Sequence, residues 1–167
     1  MPKRLFLLCL LLGAACMLCG CRQMHGGIAT PAPGMPKDQR LSYLYFSESN
    51  SYFKRVQGYE LRAQDGRCTA YFNMANEEEP YPVKVDQTWV DTLEGFITAY
   101  DMTKWDGFSG SAAGLLDGTQ FFVEFAFDDG TQVKAGGYGV FPNGYGEASA
   151  AIEAHFLQLL PEDMRDW

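Results

Sequence analysis

One short stretch of the chain has residue types and an order that could support hydrolysis. Residues 107–111, Gly-Phe-Ser-Gly-Ser, come close to the nucleophile elbow of serine hydrolases, and Asp117 and His155 follow in hydrolase order. An elbow ends on glycine and joins a buried strand to a helix in a much larger fold, whereas this segment ends on serine and follows a predicted helix. Too few catalytic roles can be assigned around it. We therefore expect no enzyme, and a small hydrolase is the least favoured alternative.

Carboxylates are numerous, but their spacing predicts neither a cation site nor a catalytic pair. Asp106 and Asp117 could act as a glycosidase pair, although the sequence does not give their separation. Residues 77–79 are three consecutive glutamates without a glycine turn or spaced ligands, which is typical of a solvated loop. His25 stands alone in a predicted linker. We expect no metal ion and no cofactor.

Aromatic residues in or beside predicted loops indicate a second kind of chemistry, ligand binding. Such rings stack on sugar rings or anchor protein contacts, and neighbouring polar side chains add hydrogen bonds. The candidate ligand-binding residues are Trp105, Asp106, Phe108, Tyr138, Asn143 and Tyr145, with Phe141 beside them. The alternative is that Trp105 and Phe108 close the edge of a sheet. Two or more of these rings more than half exposed on one side would favour binding.

The N-terminal residues are typical of a secretion signal. Lys3 and Arg4 form a positive start, and an apolar run follows over residues 5–18. This run is shorter than the roughly 20 residues that a membrane span needs. The sequence therefore predicts export, with a cleaved signal peptide over residues 1–20.

The end of this leader, Leu18-Cys19-Gly20-Cys21, resembles the lipobox of bacterial lipoproteins: an aliphatic residue, two small residues and a cysteine. The resemblance implies that Cys21 carries a diacylglyceryl group on its sulfur and becomes the first mature residue, with acyl chains such as palmitate. Two acyl chains suffice to hold a protein at a membrane. We expect an anchored protein on the extracytoplasmic face of the cell membrane. An ordinary signal peptide and an uncleaved anchor helix are the alternatives.

The charge of the mature chain argues against several partners. Without Lys3 and Arg4, 11 of the 13 basic residues remain beside 21 acidic ones, a formal charge of −10. Such a surface repels phosphate backbones and anionic headgroups, and no cluster of Lys or Arg opposes it. We expect no nucleic-acid binding. The expected partners are the membrane, through the lipid at Cys21, and a cell-surface glycan or protein.

The mature chain divides into a tether and one domain. Residues 21–40 begin with the lipidated cysteine and are rich in glycine and proline, which predicts a flexible linker. Residues 41–167 have an ordinary size for a single domain and enough apolar residues for a core. Cys68 is the lone thiol of this part, and we expect it to be a small buried hydrophobic residue on a strand.

Hairpins are the clearest elements of the domain. Residues 41–48 and 52–56 are predicted strands, split by a turn at 49–51. Asp65-Gly66 predicts a type I′ turn, and residues 128–130 predict a three-residue loop with a left-handed glycine. The expected pairs are Ala63 with Cys68, Leu61 with Ala70, Tyr59 with Phe72, Phe125 with Val133, Val123 with Ala135, and Glu124 with Lys134.

Two helices complete the prediction. Asp86 is the expected N-cap of a helix that runs to about Thr103, and residues 147–160 form the second helix. Both present an apolar stripe, on which Trp89 and Phe156 lie and beside which His155 is expected to be packed. The predicted fold is α+β: antiparallel β-hairpins forming one sheet, with two helices packed on one side.

The last third of the chain resembles small, uncharacterised lipoprotein domains of bacteria. The resemblance rests on a Trp-Asp-Gly-Phe stretch at residues 105–108, a Phe-rich strand at 121–127, Asp129-Gly130, and a glycine-rich strand leading to an aromatic-Pro-Asn-Gly-Tyr segment at 136–145. It implies a fold and no activity. We expect a non-enzymatic binding module of unknown specificity, with a structural or envelope-assembly lipoprotein as the alternative. The latter should expose a broad apolar patch, whereas a sugar binder should show a narrower groove.

Overall fold

The computed structural model describes residues 39–49, 56–115 and 117–165. Within them, six strands form one antiparallel sheet in the order β4-β3-β2-β1-β5-β6. The strands are β1 Leu41–Ser49, β2 Val56–Gln64, β3 Arg67–Met74, β4 Tyr81–Val85, β5 Gln120–Phe127 and β6 Gln132–Tyr138. The helices are α1 Gln87–Ala99 and α2 Tyr145–Leu157, with short 3-10 helices at Met102–Trp105 and Glu162–Met164. The predicted α+β fold, with helices on one side of the sheet, is confirmed.

The turn residues fix both predicted hairpins in the expected register. Asp65 and Gly66 have φ of 53° and 72°, as a type I′ turn requires, and Gly130 has a φ of 87°. All six expected residue pairs are present in the β2–β3 and β5–β6 ladders. Because register decides which side chains face the core, these turns also determine the composition of both sheet faces.

The helix boundaries differ from the prediction. Asp86 caps α1 as expected, since its carboxylate accepts a hydrogen bond from the Trp89 N–H at 2.9 Å. The helix does not reach Thr103: it ends at Ala99, because Asp101 adopts a left-handed φ of 52° and a 3-10 helix follows. The second helix starts at Tyr145, two residues before the predicted start, and ends at Leu157.

The predicted solvated loop at the three glutamates is followed closely by a strand, because Tyr81 and Pro82 begin β4. Pro82 is tolerated there because β4 is an edge strand, which has one pairing partner. The expected turn at 49–51 and most of the strand at 52–56 lie outside the described residues. Ser49 belongs to β1, and Val56 opens β2.

The core lies between the helices and one face of the sheet. Its fully buried side chains include Leu44, Leu61, Phe72, Val123, Phe125, Leu93, Ile97, Ile152 and Phe156. The Phe156 ring of α2 is 5.2 Å from the Tyr59 ring of β2, centroid to centroid. Each such side chain contributes about 1.5–3 kcal/mol through burial. Cys68 packs against this core as a small apolar residue, but it is half-buried and not fully buried as the sequence predicted.

The chain enters the domain beside a buried carboxylate. Glu94 of α1 is fully buried, and its Oε1 accepts a hydrogen bond from the Leu41 N–H at 2.8 Å. The same oxygen is 3.2 Å from the Arg40 Nε, and Arg40 also pairs with Asp91. Burial raises the pKa of Glu94, and the Leu41 hydrogen bond and Arg40 oppose that shift. This contact fixes the point at which the predicted tether meets β1.

Candidate ligand-binding site

The face of the sheet opposite the helices exposes its side chains to solvent. Alternation along β5 directs Phe121, Val123 and Phe125 into the core and turns Phe122 and Glu124 outward. Both described helices pack on the inward face. The outward side of the sheet therefore presents side chains rather than a second core.

Aromatic and charged residues are interleaved on this outward side. We define the open face as Tyr43, Tyr45, Glu60, Arg62, Tyr71, Phe122, Glu124 and Lys134. The ladders place Tyr71, Glu60, Tyr45, Glu124 and Lys134 in one row across five strands. Neighbours in such a row are close enough for their side chains to interact.

At the centre of the open face, Glu60 is only 7% exposed although it faces outward. Arg62 accounts for this, because its Nε and Nη2 donate to the two carboxylate oxygens at 2.6 and 3.1 Å. The guanidinium also lies 4.6 Å from the centroid of the Tyr71 ring, a cation–π contact. The bidentate pair holds a planar, half-exposed Arg62 in one orientation.

The remaining open-face side chains are similarly fixed. Tyr45 and Phe122 are 6.0 Å apart between ring centroids, and Lys134 Nζ lies 2.8 Å from Glu124 Oε1. Burial, followed by the charges of Glu60 and Glu124, raises the pKa of Tyr43. A tyrosine is protonated at neutral pH at its ordinary pKa of 10.0, so this upward shift leaves the Tyr43 hydroxyl a hydrogen-bond donor.

One end of the open face contains a shallow depression of about 480 Å³. We call it the Gly136 depression; it is lined by residues 107–110, 120–122 and 134–138. Gly136 pairs with Phe122 in the ladder. A Cβ at this position would lie 3.6 Å from the Phe122 ring. The absence of a side chain at Gly136 therefore keeps one side of the Phe122 ring accessible.

An extended segment closes the β6 edge beside this depression. The Gly107 N–H donates to the Lys134 carbonyl at 2.9 Å, and the Gly136 N–H donates to the Phe108 carbonyl at 3.0 Å. The Tyr138 N–H donates to the carbonyl of Gly110 at 3.0 Å. The segment thus occupies backbone groups that an edge strand would otherwise present to another chain.

Two of the six candidates from the sequence are core residues instead of surface ligands. Trp105 is 3% exposed and Tyr145 is 7% exposed. The Trp105 Nε1–H donates to the Asn143 carbonyl at 3.1 Å, and its ring lies 6.1 Å from that of Tyr145. The prediction that these two rings stack on a ligand is wrong, because both are buried in the junction between the 3-10 helix and α2.

The other candidates are divided between the depression and its surroundings. Phe108 and Tyr138 line the Gly136 depression and are half-buried. Asp106 is exposed, but its Oδ1 accepts the Lys134 N–H at 3.1 Å, which ties the edge segment to β6. Asn143 is exposed in the turn before α2. None of the loop rings exceeds half exposure, and the most exposed is Phe141 at 41%, so the exposure that would favour binding through the loop aromatics is not observed.

The sequence reasoning missed Phe122 and the tyrosines of the open face. Phe122 is 38% exposed and was assigned only to a Phe-rich strand. The predicted β5–β6 register already placed it on the outward side, next to the Glu124–Lys134 pair. A large apolar residue at a solvent-facing strand position was the signal that would have indicated it.

The nucleophile-like segment is not assembled into a catalytic group. His155 is buried between the helices, where its Nε2 lies 3.0 Å from the Trp89 carbonyl and its ring stacks on the Trp89 ring at 4.4 Å. Burial lowers the pKa of His155. Ser109 and Asp117 are exposed loop residues. His155 is the packed side chain that its position beside the apolar stripe predicted.

The described residues contain no group of three or more His, Cys, Asp or Glu side chains arranged to hold a metal ion. Glu77, Glu78 and Glu79 are exposed.

Comparison with protein-family models and with curated proteins finds no match to this chain. No helix within the described ranges has the length and apolarity needed to span a membrane.

Proposed function

We propose that this protein is a lipid-anchored extracytoplasmic binding protein, held at the membrane through Cys21. The proposal for the anchor rests on the leader and on Leu18-Cys19-Gly20-Cys21, which lie outside the described residues. The proline- and glycine-rich residues that follow would let the domain move relative to the membrane. In this proposal the domain is not an enzyme and binds a ligand or partner at the cell surface.

The observation that supports binding is the open face itself. Single exposed apolar residues are common on protein surfaces, but grouped aromatics between fixed polar side chains are typical of recognition surfaces. Here Tyr45 and Phe122 contact each other, and the Glu60–Arg62 and Glu124–Lys134 pairs flank them. These contacts reduce the side-chain entropy that would be lost on binding.

The anchor is tested by metabolic labelling with an alkyne fatty acid. The wild-type chain should be labelled, and Cys21→Ala should lose the label. Cys19→Ala is the matched control: it removes a neighbouring thiol and places at the same lipobox position a residue that the motif accepts. Equal labelling of wild type and Cys21→Ala would refute the anchor.

The binding surface is tested by photocrosslinking of the full-length protein in intact cells. A benzoylphenylalanine replaces Phe122 in one variant and Phe141 in the other, since the two rings are 38% and 41% exposed. We expect saturable adducts at position 122, absent at 141 and lost when Lys134→Ala is added. Equal adducts at both positions, or none at 122, would favour the structural or envelope-assembly alternative.

A further inference from the structure

We propose that the Gly136 depression binds one uncharged pyranose ring of a glycan, with the Phe122 ring as its stacking surface. This inference rests on the proposed function and specifies its ligand class. Four features of the depression lead to it: its shape, its stacking surface, its charge balance and the occupied backbone groups at its edge.

The shape fits a small ligand that remains partly in water. The volume of about 480 Å³ falls in the range of small-molecule sites, roughly 300–1,000 Å³. Small-molecule pockets bury most of an apolar ligand, whereas this depression is open and shallow. A ligand with one apolar face and a polar periphery suits it better. A pyranose ring has such a face in its C–H groups, and its hydroxyls can stay hydrated.

Phe122 and Gly136 together supply the stacking surface. They are paired across β5 and β6, and the lack of a Cβ at Gly136 leaves open the space beside the ring. Tyr45 contacts Phe122 from the neighbouring strand β1. The platform is thus supported from one side and free on the other.

The charge pair formed by Lys134, which lines the depression, and the neighbouring Glu124 favours an uncharged ligand. Lys134 and Glu124 form a pair at 2.8 Å, with side chains 57% and 25% exposed. A charged ligand would have to compete with one member of this pair. A sugar hydroxyl can instead donate to the carboxylate and accept from the ammonium group without separating them, because both retain unused hydrogen-bonding capacity.

The edge argues against an extended peptide as the occupant. Peptides commonly bind a sheet by adding a strand through main-chain hydrogen bonds. Residues 107–111 already lie along β6, with bonds from Gly107 to Lys134 and from Gly136 to Phe108. Recognition at this end of the sheet must therefore use side chains.

The test uses the mature lipidated protein in detergent micelles, applied to an array of neutral oligosaccharides. The array includes glucans, mannans, galactans and chitooligosaccharides, with sialylated and sulfated glycans for comparison. We expect binding to at least one neutral pyranoside. Titration of that compound should show binding weakened about tenfold by Phe122→Ala.

Two further variants separate the depression from general surface effects. Phe141→Ala removes a ring of similar exposure elsewhere and should change binding by less than about twofold. Gly136→Val fills the depression without altering charge and should abolish binding. If circular dichroism shows that Gly136→Val is misfolded, Phe122→Ala alone decides the question.

The outcomes distinguish this inference from the function on which it rests. Crosslinks at position 122 combined with binding only to sialylated or sulfated glycans, or to a protein, would overturn the uncharged-pyranose assignment and leave a binding face. Neutral-glycan binding that Phe122→Ala leaves unchanged would overturn the site. Failure of both the array and the crosslinking would overturn both proposals.

Discussion

Replacement of Glu94 tests whether a single buried hydrogen-bond acceptor secures the start of β1. Glu94→Ala leaves the Leu41 N–H without the acceptor that now lies 2.8 Å away. An unsatisfied buried donor costs about 1–3 kcal/mol. Arg40 loses one partner but keeps Asp91, and its side chain is 27% exposed, so this loss adds about 1 kcal/mol or less.

One effect of the substitution acts in the opposite direction. The second carboxylate oxygen of Glu94 is buried and has no hydrogen-bond partner among the described residues. Removing it relieves a desolvation cost, in agreement with the raised pKa of Glu94. We therefore expect Glu94→Ala to lower the free energy of unfolding by about 2 kcal/mol.

Glu94→Gln and Asp91→Ala separate the contributions. The glutamine keeps an oxygen for the Leu41 N–H and removes the charge, so it should cost about 1 kcal/mol or less. Asp91→Ala removes an exposed partner of Arg40 and should also cost less than about 1 kcal/mol. Urea unfolding of the three variants, followed by circular dichroism, measures this order. Equal losses for Ala and Gln at position 94 would refute the role of the acceptor.

The same residue predicts a pH dependence. Because the folded-state pKa of Glu94 is raised above its ordinary value of 4.5, its contribution to stability is greatest below that pH. That contribution is lost as the pH rises through the folded pKa. Wild type should thus lose stability relative to Glu94→Gln as the pH rises from about 4 to 7. A constant difference between the two proteins over this range would contradict the assignment.

Three other predictions concern the packed histidine, a turn and the exposed sheet edge. Burial lowers the folded-state pKa of His155 below 6.5. The contribution of the neutral His155 to stability is therefore present above pH 6.5 and is lost as the pH falls through the folded-state pKa. The urea midpoint of His155→Phe should vary less than that of wild type between about pH 7 and 5. Gly66→Ala should lower the free energy of unfolding by about 1 kcal/mol, because the φ of Gly66 is 72°. Gly146→Ala on α2 is the control and should not destabilise the domain, since a Cβ at either position meets no atom within 4 Å. Thermal unfolding compares the two variants. Pro82→Thr combined with Lys84→Val should promote self-association in sedimentation experiments, because it restores a donor and removes a charge on β4.

The hairpins were predictable because local chemistry determines them. The Asp65-Gly66 turn and the left-handed Gly130 set the strand pairing, and alternation then assigns each side chain to a face. The start of α1 was predictable for the same reason. The capping carboxylate of Asp86 accepts a hydrogen bond from the N–H of Trp89, which is only three residues later. Such signals lie within a few residues of each other in the sequence.

Features that depend on distant contacts were not predictable. Whether Trp105 is exposed depends on its packing against Tyr145, which lies 40 positions later in the chain. The strand β4 contains Pro82, which argues against a strand in the sequence alone, and its position is set by pairing with β3. The outward position of Phe122 follows from the β5–β6 register, which the sequence does predict; the aromatic cluster of the open face needs the pairing of β1 and β5, which local sequence does not determine.

Both edges of the sheet have features that oppose pairing with a strand of another chain. These features limit the ways in which the domain could recognise a partner. Residues 107–111 cover the β6 edge, and the short β4 carries Pro82 and an exposed Lys84 at the other. Main-chain recognition is therefore disfavoured on both sides. The helices bury one sheet face in the core, which leaves the side chains of the open face as the surface through which the proposed binding would occur. Substitutions at a few outward positions would change the specificity of the open face without disturbing the fold, because the core side chains and the turn residues that set the strand register are different residues.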